Sequence, residues 1–279
     1  MRIVHRDEIT KVVRELCIDA NVNLPQDVCK AIDMAIEVED YIPAKNTLNL
    51  LIDNYQLAAK NQIAICQDTG LACVFIEIGQ EVYVEGSIED AINEGVRRGY
   101  IDGYLRKSVV RDPLDRVNTG DNTPAMIYYD IVPGDELEIT VAPKGFGSEN
   151  MSQIKMLKPS DGLQGVKDFV IRVVEEAGPN PCPPIVVGVG IGGTFDKAAF
   201  LAKKALLRPV DVRHEEAFYA ELEAELLEKI NALGIGPQGF GGRTTALAVN
   251  IEKFPTHIAG LPVAVNINCH VTRHKTEVI

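Results

Sequence analysis

The sequence predicts an α/β fold with mixed β-sheets and surrounding helices. Over several long segments, apolar residues recur every three or four positions, which is typical of amphipathic helices. Between these segments lie short apolar runs bounded by turn-forming residues, which are typical of buried strands. Because the two patterns alternate without a long linker or a repeat, we expect one domain over residues 1–279, with residues 1–61 as a helical N-terminal layer.

The first half of the chain predicts three helices and then a series of strands. Three apolar stripes at helical spacing mark the helices: Ile9, Val12, Val13 and Leu16; Val28, Ile32, Ala35 and Ile36; Leu48, Leu51, Ile52 and Tyr55. Short strands are expected at 63–65 and 71–78, and a turn-rich segment lies between them. A helix at 87–105 and strands at 125–131 and 136–142 follow.

The second half continues the alternation. An amphipathic helix is expected at 160–176, and a buried strand at 184–190 leads into another helix that ends near residue 207. A charged helix at 215–233 precedes a glycine-rich loop at 234–242. Two strands, at 244–251 and 261–268, complete the predicted elements.

Composition and charge exclude several classes of function. The chain has 28 basic and 40 acidic residues, a formal net charge of −12, which argues against general nucleic-acid binding. No stretch approaches the roughly 18–20 apolar residues that span a bilayer, and Arg2 interrupts any signal-like apolar start. We therefore expect a cytoplasmic protein that binds neither nucleic acid nor membrane.

The six cysteines fall into two groups by context. Three of them, Cys17, Cys29 and Cys73, lie on apolar helix faces or inside a predicted strand, where packing explains them. The other three are Cys66, Cys182 and Cys269, and each stands where an apolar strand meets a loop. Such boundaries project binding residues from a rigid scaffold, so a shared metal site is one interpretation of these three. The other interpretation is that these three cysteines are simply buried thiols.

A local reversal of charge suggests an anion site. Residues 97–116 hold six basic residues in an otherwise acidic chain, and Arg106 precedes a turn. Arginine binds carboxylates bidentately, although a solvated helix face is the usual fate of such a run. The glycine-rich segment 144–150 offers backbone N–H groups to an anion, and a simple tight loop is the alternative.

The glycines of Gly188-Val-Gly-Ile-Gly-Gly193 match the dinucleotide-binding pattern G-x-G-x-x-G between a strand and a helix. An acidic residue, Asp211, lies 18 residues beyond the pattern, but residues 208–216 offer no apolar second strand to carry it. Close packing of the strand against the helix explains the same glycines. A nicotinamide-dependent dehydrogenase is therefore the weaker interpretation.

Five motifs, in this order along nearly the whole chain, resemble a known family. They are Cys66-Gln-Asp-Thr-Gly70, the segment 105–114 (LRKSVVRDPL), Lys144-Gly-Phe-Gly-Ser-Glu-Asn150, the segment 188–198 (GVGIGGTFDKA) and the segment 236–245 (GPQGFGGRTT). The chain resembles the alpha subunit of class I, iron–sulfur fumarate hydratase, which is similar to the alpha subunit of L(+)-tartrate dehydratase. The resemblance implies a hydro-lyase with a [4Fe–4S] cluster on Cys66, Cys182 and Cys269, and one iron left open as a Lewis acid.

The resemblance also implies the substrate-binding residues, namely Gln67, Asp68, Arg106, Gly147, Asn150 and His257. Asp68 is the expected base for the C–H proton, working with a hydroxyl of a partner polypeptide. Arg106 is expected to bind a carboxylate, and Gly147 and Asn150 to position the substrate. Glu149 departs from the smaller or basic residues of single-chain members, which leaves the contacts of this loop open.

Single-chain members of the family carry a C-terminal domain that this sequence lacks. The resemblance therefore implies a separate beta subunit, an α2β2 assembly and little hydratase activity of this chain alone. Reversible hydration of fumarate to (S)-malate is the preferred reaction, and dehydration of L(+)-tartrate is the alternative. A scaffold subunit that carries a cluster but performs no chemistry is a third interpretation.

Overall fold

The computed structural model describes residues 2–279 and contains α-helices and mixed β-sheets. The helices are α1 (Arg6–Val22), α2 (Gln26–Val38), α3 (Ile42–Asn61), α4 (Ile88–Asp102), α5 (Phe146–Glu149), α6 (Gly162–Ala177), α7 (Phe195–Ala205) and α8 (Ala217–Asn231). The strands are β1 (Arg2–His5), β2 (Leu71–Gly79), β3 (Val82–Glu85), β4 (Met126–Val132), β5 (Leu137–Lys144), β6 (Gln153–Leu157), β7 (Ile185–Gly192), β8 (Ala246–Phe254), β9 (Leu261–Asn268) and β10 (Lys275–Val278). The predicted fold class is confirmed.

The long periodic segments form the predicted elements, and the differences lie in short segments. Residues 63–65 form no strand, because Ile63 is exposed and the Ile65 N–H donates to the Asn21 carbonyl at 2.9 Å rather than to a strand. Strands β1, β3, β6 and β10 were not predicted, since each has only four or five residues and a largely exposed face. Within residues 2–279, no helix has the length and apolarity needed to cross a membrane.

The chain divides into two compact units, and the first comprises residues 1–25, 55–146 and 273–279. Its four-stranded sheet has the order β10-β5-β2-β4, in which β2 pairs parallel with β4 and antiparallel with β5. Helices α1 and α4 pack on each other, and α1 also contacts β5. The core of this unit buries residues of both helices and of the sheet, including Val13, Ile92, Ile76 and Ile139.

The second unit comprises residues 26–54 and 147–272. Its sheet has the order β6-β9-β7-β8, with β7 parallel to β8 and antiparallel to β9. Helices α6 and α8 contribute Phe169, Val173 and Leu226 to one large apolar core with the sheet. Helix α7 packs on β7 and β9 through small residues, among them Ala198 and Ala202.

Glycines of β7 allow α7 to approach the strand closely. A Cβ added at Gly188 would lie 2.1 Å from the Ala202 carbonyl oxygen, and one at Gly190 would lie 2.1 Å from the Ala198 carbonyl oxygen. Neither position tolerates a side chain without displacing helix backbone. The interpretation of these glycines as close strand–helix packing is confirmed, so the G-x-G-x-x-G pattern needs no dinucleotide to explain it.

We predict that the Gly190→Ala variant is destabilised, because its methyl group would overlap the α7 backbone. Overpacking of this kind costs about 1–3 kcal/mol or more, which lowers the midpoint of thermal unfolding by several degrees. Circular dichroism melting curves measure the change. Gly260→Ala is the matched control, since the nearest atom to its added Cβ lies 3.8 Å away. Equal melting temperatures for the two variants would contradict the packing explanation.

Candidate active site

The segment 66–70 of the first unit is a turn held by its own hydrogen bonds. The Asp68 N–H donates to Cys66 Sγ at 3.4 Å, and the Gly70 N–H donates to Asp68 Oδ1 at 3.0 Å. The Phe146 N–H donates to Asp68 Oδ2 at 2.9 Å. Each carboxylate oxygen of Asp68 therefore has a fixed backbone donor and retains acceptor capacity for another proton.

Gly145 makes room for the Asp68 carboxylate. A Cβ at this position would lie 3.2 Å from Asp68 Oδ2, closer than nearly all ordinary contacts of that kind. The close approach of the Asp68 carboxylate therefore explains why a glycine stands at position 145 of the Lys144–Asn150 motif. A loop that binds an anion through Gly145 itself is not required.

Arg106 is tied to the same turn through its backbone. The Arg106 N–H donates to Thr69 Oγ1 at 2.9 Å, and the Thr69 hydroxyl donates to the Arg106 carbonyl at 3.1 Å. The buried Tyr100 hydroxyl donates to the carbonyls of Thr69 and Gly70, at 2.7 and 3.0 Å. Burial raises the pKa of Tyr100, so this donor stays protonated. The structure therefore brings Cys66, Asp68 and the backbone of Arg106 together. Arg106 as a whole residue is exposed.

Arg273 belongs to this site, although no sequence pattern predicted it. It is only 4% exposed, and its Nη2 donates to the Asp68 carbonyl. Its Nε and Nη1 have no hydrogen-bond partner within the described chain. A buried cation with unsatisfied donors favours an anionic neighbour. The available sequence signal was a lone arginine four residues after Cys269, which no periodic pattern distinguishes.

In the second unit, Cys182 and Cys269 lie at one edge of the sheet. Cys182 precedes β7 and Cys269 follows β9, and the antiparallel register pairs Val186 with Asn268. The His270 N–H donates to the Cys182 carbonyl at 3.2 Å, which links the two cysteine-bearing loops directly. Cys182 is exposed and has φ of 55°, so its loop turns sharply at that residue.

Gln238 supports these loops from the glycine-rich segment that precedes β8. Its Nε2 donates to the Pro183 carbonyl at 2.7 Å and lies 3.1 Å from His270 Nδ1. Its backbone N–H also donates to the Pro183 carbonyl, at 2.7 Å. The motif at 236–245 therefore has a structural role next to Cys182, which the sequence analysis did not assign.

Gly147 and Asn150 lie at the same edge of this sheet as the two cysteines. A Cβ at Gly147 would lie 3.7 Å from the Asn180 carbonyl, so the loop runs beside the segment that leads to Cys182. Both Gly147 and Asn150 are exposed. The strand that follows them, β6, begins at Gln153 opposite Val265, near the end of β9 that leads to Cys269.

His257 lies at the other end of β9. It is exposed in the turn between β8 and β9, where its carbonyl accepts from the Gly260 N–H at 2.9 Å. Strand β9 has eight residues, and at roughly 3.3 Å per residue the strand spans about 26 Å. The structure therefore does not bring His257 to the edge that carries Cys182 and Cys269, and its substrate role stays a prediction.

The three cysteines set apart by their sequence context supply thiol sulfur, the donor that iron–sulfur clusters bind. Within residues 2–279, no group of three or more His, Cys, Asp or Glu side chains is placed to hold one ion. All six cysteines are thiols, the Cys66 sulfur accepts a backbone N–H, and Arg273 supplies unsatisfied positive charge beside Asp68. These features fit an anionic, thiolate-bound group.

Comparison with known proteins gives a consistent set of relatives. A family model described as fumarate hydratase (fumerase) matches residues 10–278. The chain is 48% identical over 273 residues to "Putative L(+)-tartrate dehydratase subunit alpha" of Methanocaldococcus jannaschii, covering 95% of each chain. It is 34% identical over 277 residues to L(+)-tartrate dehydratase subunit alpha of Escherichia coli O157:H7, covering 98% of this chain and 91% of that protein.

We predict a wide spread of thiol reactivity in the folded, metal-free chain. Cys182 is exposed, whereas Cys17 is fully buried and burial raises the pKa of its thiol to about 12. Because the thiolate is the nucleophile, iodoacetamide at pH 8 should modify Cys182 at least about 100-fold faster than Cys17. Mass spectrometry of timed digests measures both rates, and denatured protein serves as the control. Equal rates in the folded chain would show that the burial assigned to Cys17 is wrong.

Proposed function

The chain belongs to the fumarate hydratase family, and from that premise we propose that it is the alpha subunit of a [4Fe–4S]-dependent hydro-lyase that interconverts fumarate and (S)-malate. What supports this function above all is the Asp68 carboxylate. Backbone donors orient both of its oxygens within two residues of Cys66, in a turn that also fixes the Arg106 segment. A carboxylate base beside a cysteine, in a turn that also fixes the backbone of an arginine, suits the removal of water from a hydroxy-diacid.

Cys66, Cys182 and Cys269 are the residues proposed to hold the cluster. Two of them lie at one edge of the second unit's sheet, and Cys66 lies in the turn of the first unit next to Asp68. When bound, a cluster with three thiolate ligands supplies a Lewis-acidic iron for the substrate hydroxyl and carboxylate. Arg273, a buried cation with two unsatisfied donor atoms, is held at the Asp68 carbonyl, two residues from the proposed ligand Cys66.

Asp68 is proposed to exchange the carbon-bound proton. In the dehydration direction the carboxylate accepts the proton from the carbon next to the departing hydroxyl, and in hydration the protonated acid returns it. The C–H proton is weakly acidic, so the base must be held in a narrow range of orientations. The N–H groups of Gly70 and Phe146 provide that orientation without using the remaining acceptor capacity of the carboxylate.

The substrate carboxylates are proposed to bind Arg106, with Gln67, Gly147 and Asn150 completing the contacts. Arg106 is exposed while its backbone is fixed by Thr69, so its guanidinium is free to bind an anion bidentately. The chain carries a net charge of −12, which on its own repels a diacid. Within the basic segment 97–116, Arg97 and Arg98 pair with acidic side chains, so Arg106 is the member proposed to attract the diacid.

Dehydration of L(+)-tartrate is the second candidate, and the names of the relatives support it. Tartrate differs from malate by one additional hydroxyl group. A site built to hydrogen-bond a hydroxyl rejects the analogue that lacks it far more strongly than an apolar pocket rejects an added one. A site selective for tartrate would therefore need a hydrogen-bonding group where the additional hydroxyl lies, whereas a site selective for malate would need none there.

Anaerobic assays of the chain reconstituted with its proposed beta subunit test the reaction. We expect kcat/KM for malate or fumarate to exceed that for L(+)-tartrate by about 100-fold or more, and the chain alone to have little activity. A reversed preference would establish the second candidate instead. Loss of both activities in a reconstituted, iron-containing complex would refute the hydro-lyase assignment, and full turnover by the chain alone would refute the need for a beta subunit.

The Asp68→Asn variant is the internal control for the base in that assay. The amide has the same size but cannot accept the proton, and its NH2 group faces one of the two backbone N–H donors, so kcat should fall at least about 100-fold. The iron content should stay at the wild-type value, because the Asp68 backbone N–H to Cys66 Sγ is retained. Loss of iron together with activity would assign Asp68 to cluster binding rather than to proton transfer.

We predict that serine at position 66, 182 or 269 abolishes cluster binding. Cys66→Ser, Cys182→Ser and Cys269→Ser should each lose the brown colour and most of the bound iron and sulfide after anaerobic reconstitution, because a hydroxyl is a poor ligand for iron–sulfur clusters. Cys29→Ser on α2 is the matched control and should retain both. Full retention of cluster in any of the first three variants would remove that cysteine from the proposed ligand set.

A further inference from the structure

Glu149 is held by two side chains of the second unit. Its Oε1 accepts from Lys203 Nζ at 2.6 Å, and its Oε2 accepts from Asn266 Nδ2 at 2.8 Å. Lys203 belongs to α7 and Asn266 to β9. The carboxylate therefore joins the Gly147–Asn150 loop, a tight turn that includes the end of the four-residue helix α5, to helix α7 and to the strand that leads to Cys269.

Ser152 adds a second connection to the same strand. Its Oγ accepts from Asn266 Nδ2 at 2.8 Å and from the Ile267 N–H at 3.2 Å. The set of Glu149, Ser152, Lys203 and Asn266, called here the loop brace, thus contacts β9 two to three residues before Cys269. A small cavity of about 190 Å³ lies beside these four residues.

Burial makes the loop brace sensitive to the chemistry of its members. The side chains of Glu149 and Lys203 are 24% and 16% exposed, and Asn266 is 6% exposed. Removing one partner of such an ion pair leaves the other charge poorly solvated and costs more than the pair contributes. The carboxylate also fits both donors, because each of its oxygens accepts one of them.

We propose that Glu149 is a positioning residue that fixes the Gly147–Asn150 loop relative to the cysteine-bearing edge of the sheet. This role deepens the proposed function and rests on it, since Gly147 and Asn150 are the substrate contacts of the proposed reaction. Glu149 itself contacts no substrate. It acts through the loop, whose other side runs beside Asn180 and the segment that leads to Cys182.

The Glu149→Gln variant tests the role with little change in volume. The glutamine side chain has one acceptor oxygen, which can replace the carboxylate toward Lys203 or toward Asn266 but not toward both. Its NH2 group is itself a donor and would point at the second donor, so that hydrogen bond would be lost. In the reconstituted complex we expect kcat/KM for the diacid to fall about 10- to 100-fold, as misplacement of a binding loop does. The iron and sulfide content should stay unchanged. Lys203→Met should reproduce this loss, and Lys203→Arg, which keeps the charge, should recover most of it.

A matched control is available in the same unit. Glu225 on α8 also accepts from two lysines, Lys167 at 2.5 Å and Lys229 at 2.7 Å, but it lies outside the loop brace. Glu225→Gln should leave kcat/KM within about twofold of the wild-type value. Equal losses in the two glutamine variants would show a general effect on stability and would overturn the positioning role.

Hydrogen–deuterium exchange gives a readout that does not depend on activity. In Glu149→Gln, the amides of residues 147–152 should exchange faster than in the wild-type chain, while those of β7 and β9 keep their protection. Unchanged exchange in the loop would overturn the proposed brace even if activity fell. If the wild-type complex is inactive on both diacids but the loop loses protection in the variant, the proposed function fails and the bracing by Glu149 stands.

Discussion

The antiparallel register of β7 and β9 determines where the two proposed cluster ligands of the second unit lie. Pairing Val186 with Asn268 places the segment that leads into β7 and the residue that follows β9 at a single sheet edge. Cys182 and Cys269 meet there although 86 residues separate them in the sequence. A shift of one residue would turn every side chain of β9 to the opposite face, and Asn266 would lose its contacts with Glu149 and Ser152. The buried residues Val187, Val189, Val265 and Ile267 oppose such a shift.

The turn of the first unit is specified by polar contacts rather than by apolar burial. Thr69, Tyr100 and Asp68 satisfy backbone groups of neighbouring segments, and Asn122, which is fully buried, donates to the Gly70 carbonyl at 3.2 Å. Unsatisfied polar groups inside a protein are costly, so a network with complete partners allows few alternative arrangements. That rigidity is what the proposed roles of Asp68 as a base and of Arg106 as a carboxylate-binding residue require of their supporting segments.

Two buried charged residues, Glu223 and Arg273, differ in how completely their polar atoms are paired. Glu223 is fully buried, yet its carboxylate contacts Arg208 and accepts from the N–H groups of Ile251 at 2.8 Å and His214 at 3.0 Å. Arg273 is buried to a similar extent, and its Nε and Nη1 have no partner within the described chain, whereas Arg208 beside Glu223 leaves only its Nε without one. A satisfied ion stabilises the fold locally, whereas an unsatisfied one favours a ligand. The contrast supports the proposed anionic group beside Asp68.

The sequence by itself determined the long helices, the central strands and the three cysteines that differ from the rest. These features rest on local periodicity and on the position of a residue relative to its own element, which neighbouring residues reveal. Only the tertiary structure decided the roles that need distant partners. It showed the contact of Gly188 and Gly190 with α7, the burial of Arg273, the bracing of Glu149 and the separation of His257 from Cys269. No local pattern encodes them, because strand register and helix packing bring together residues that are far apart in the chain.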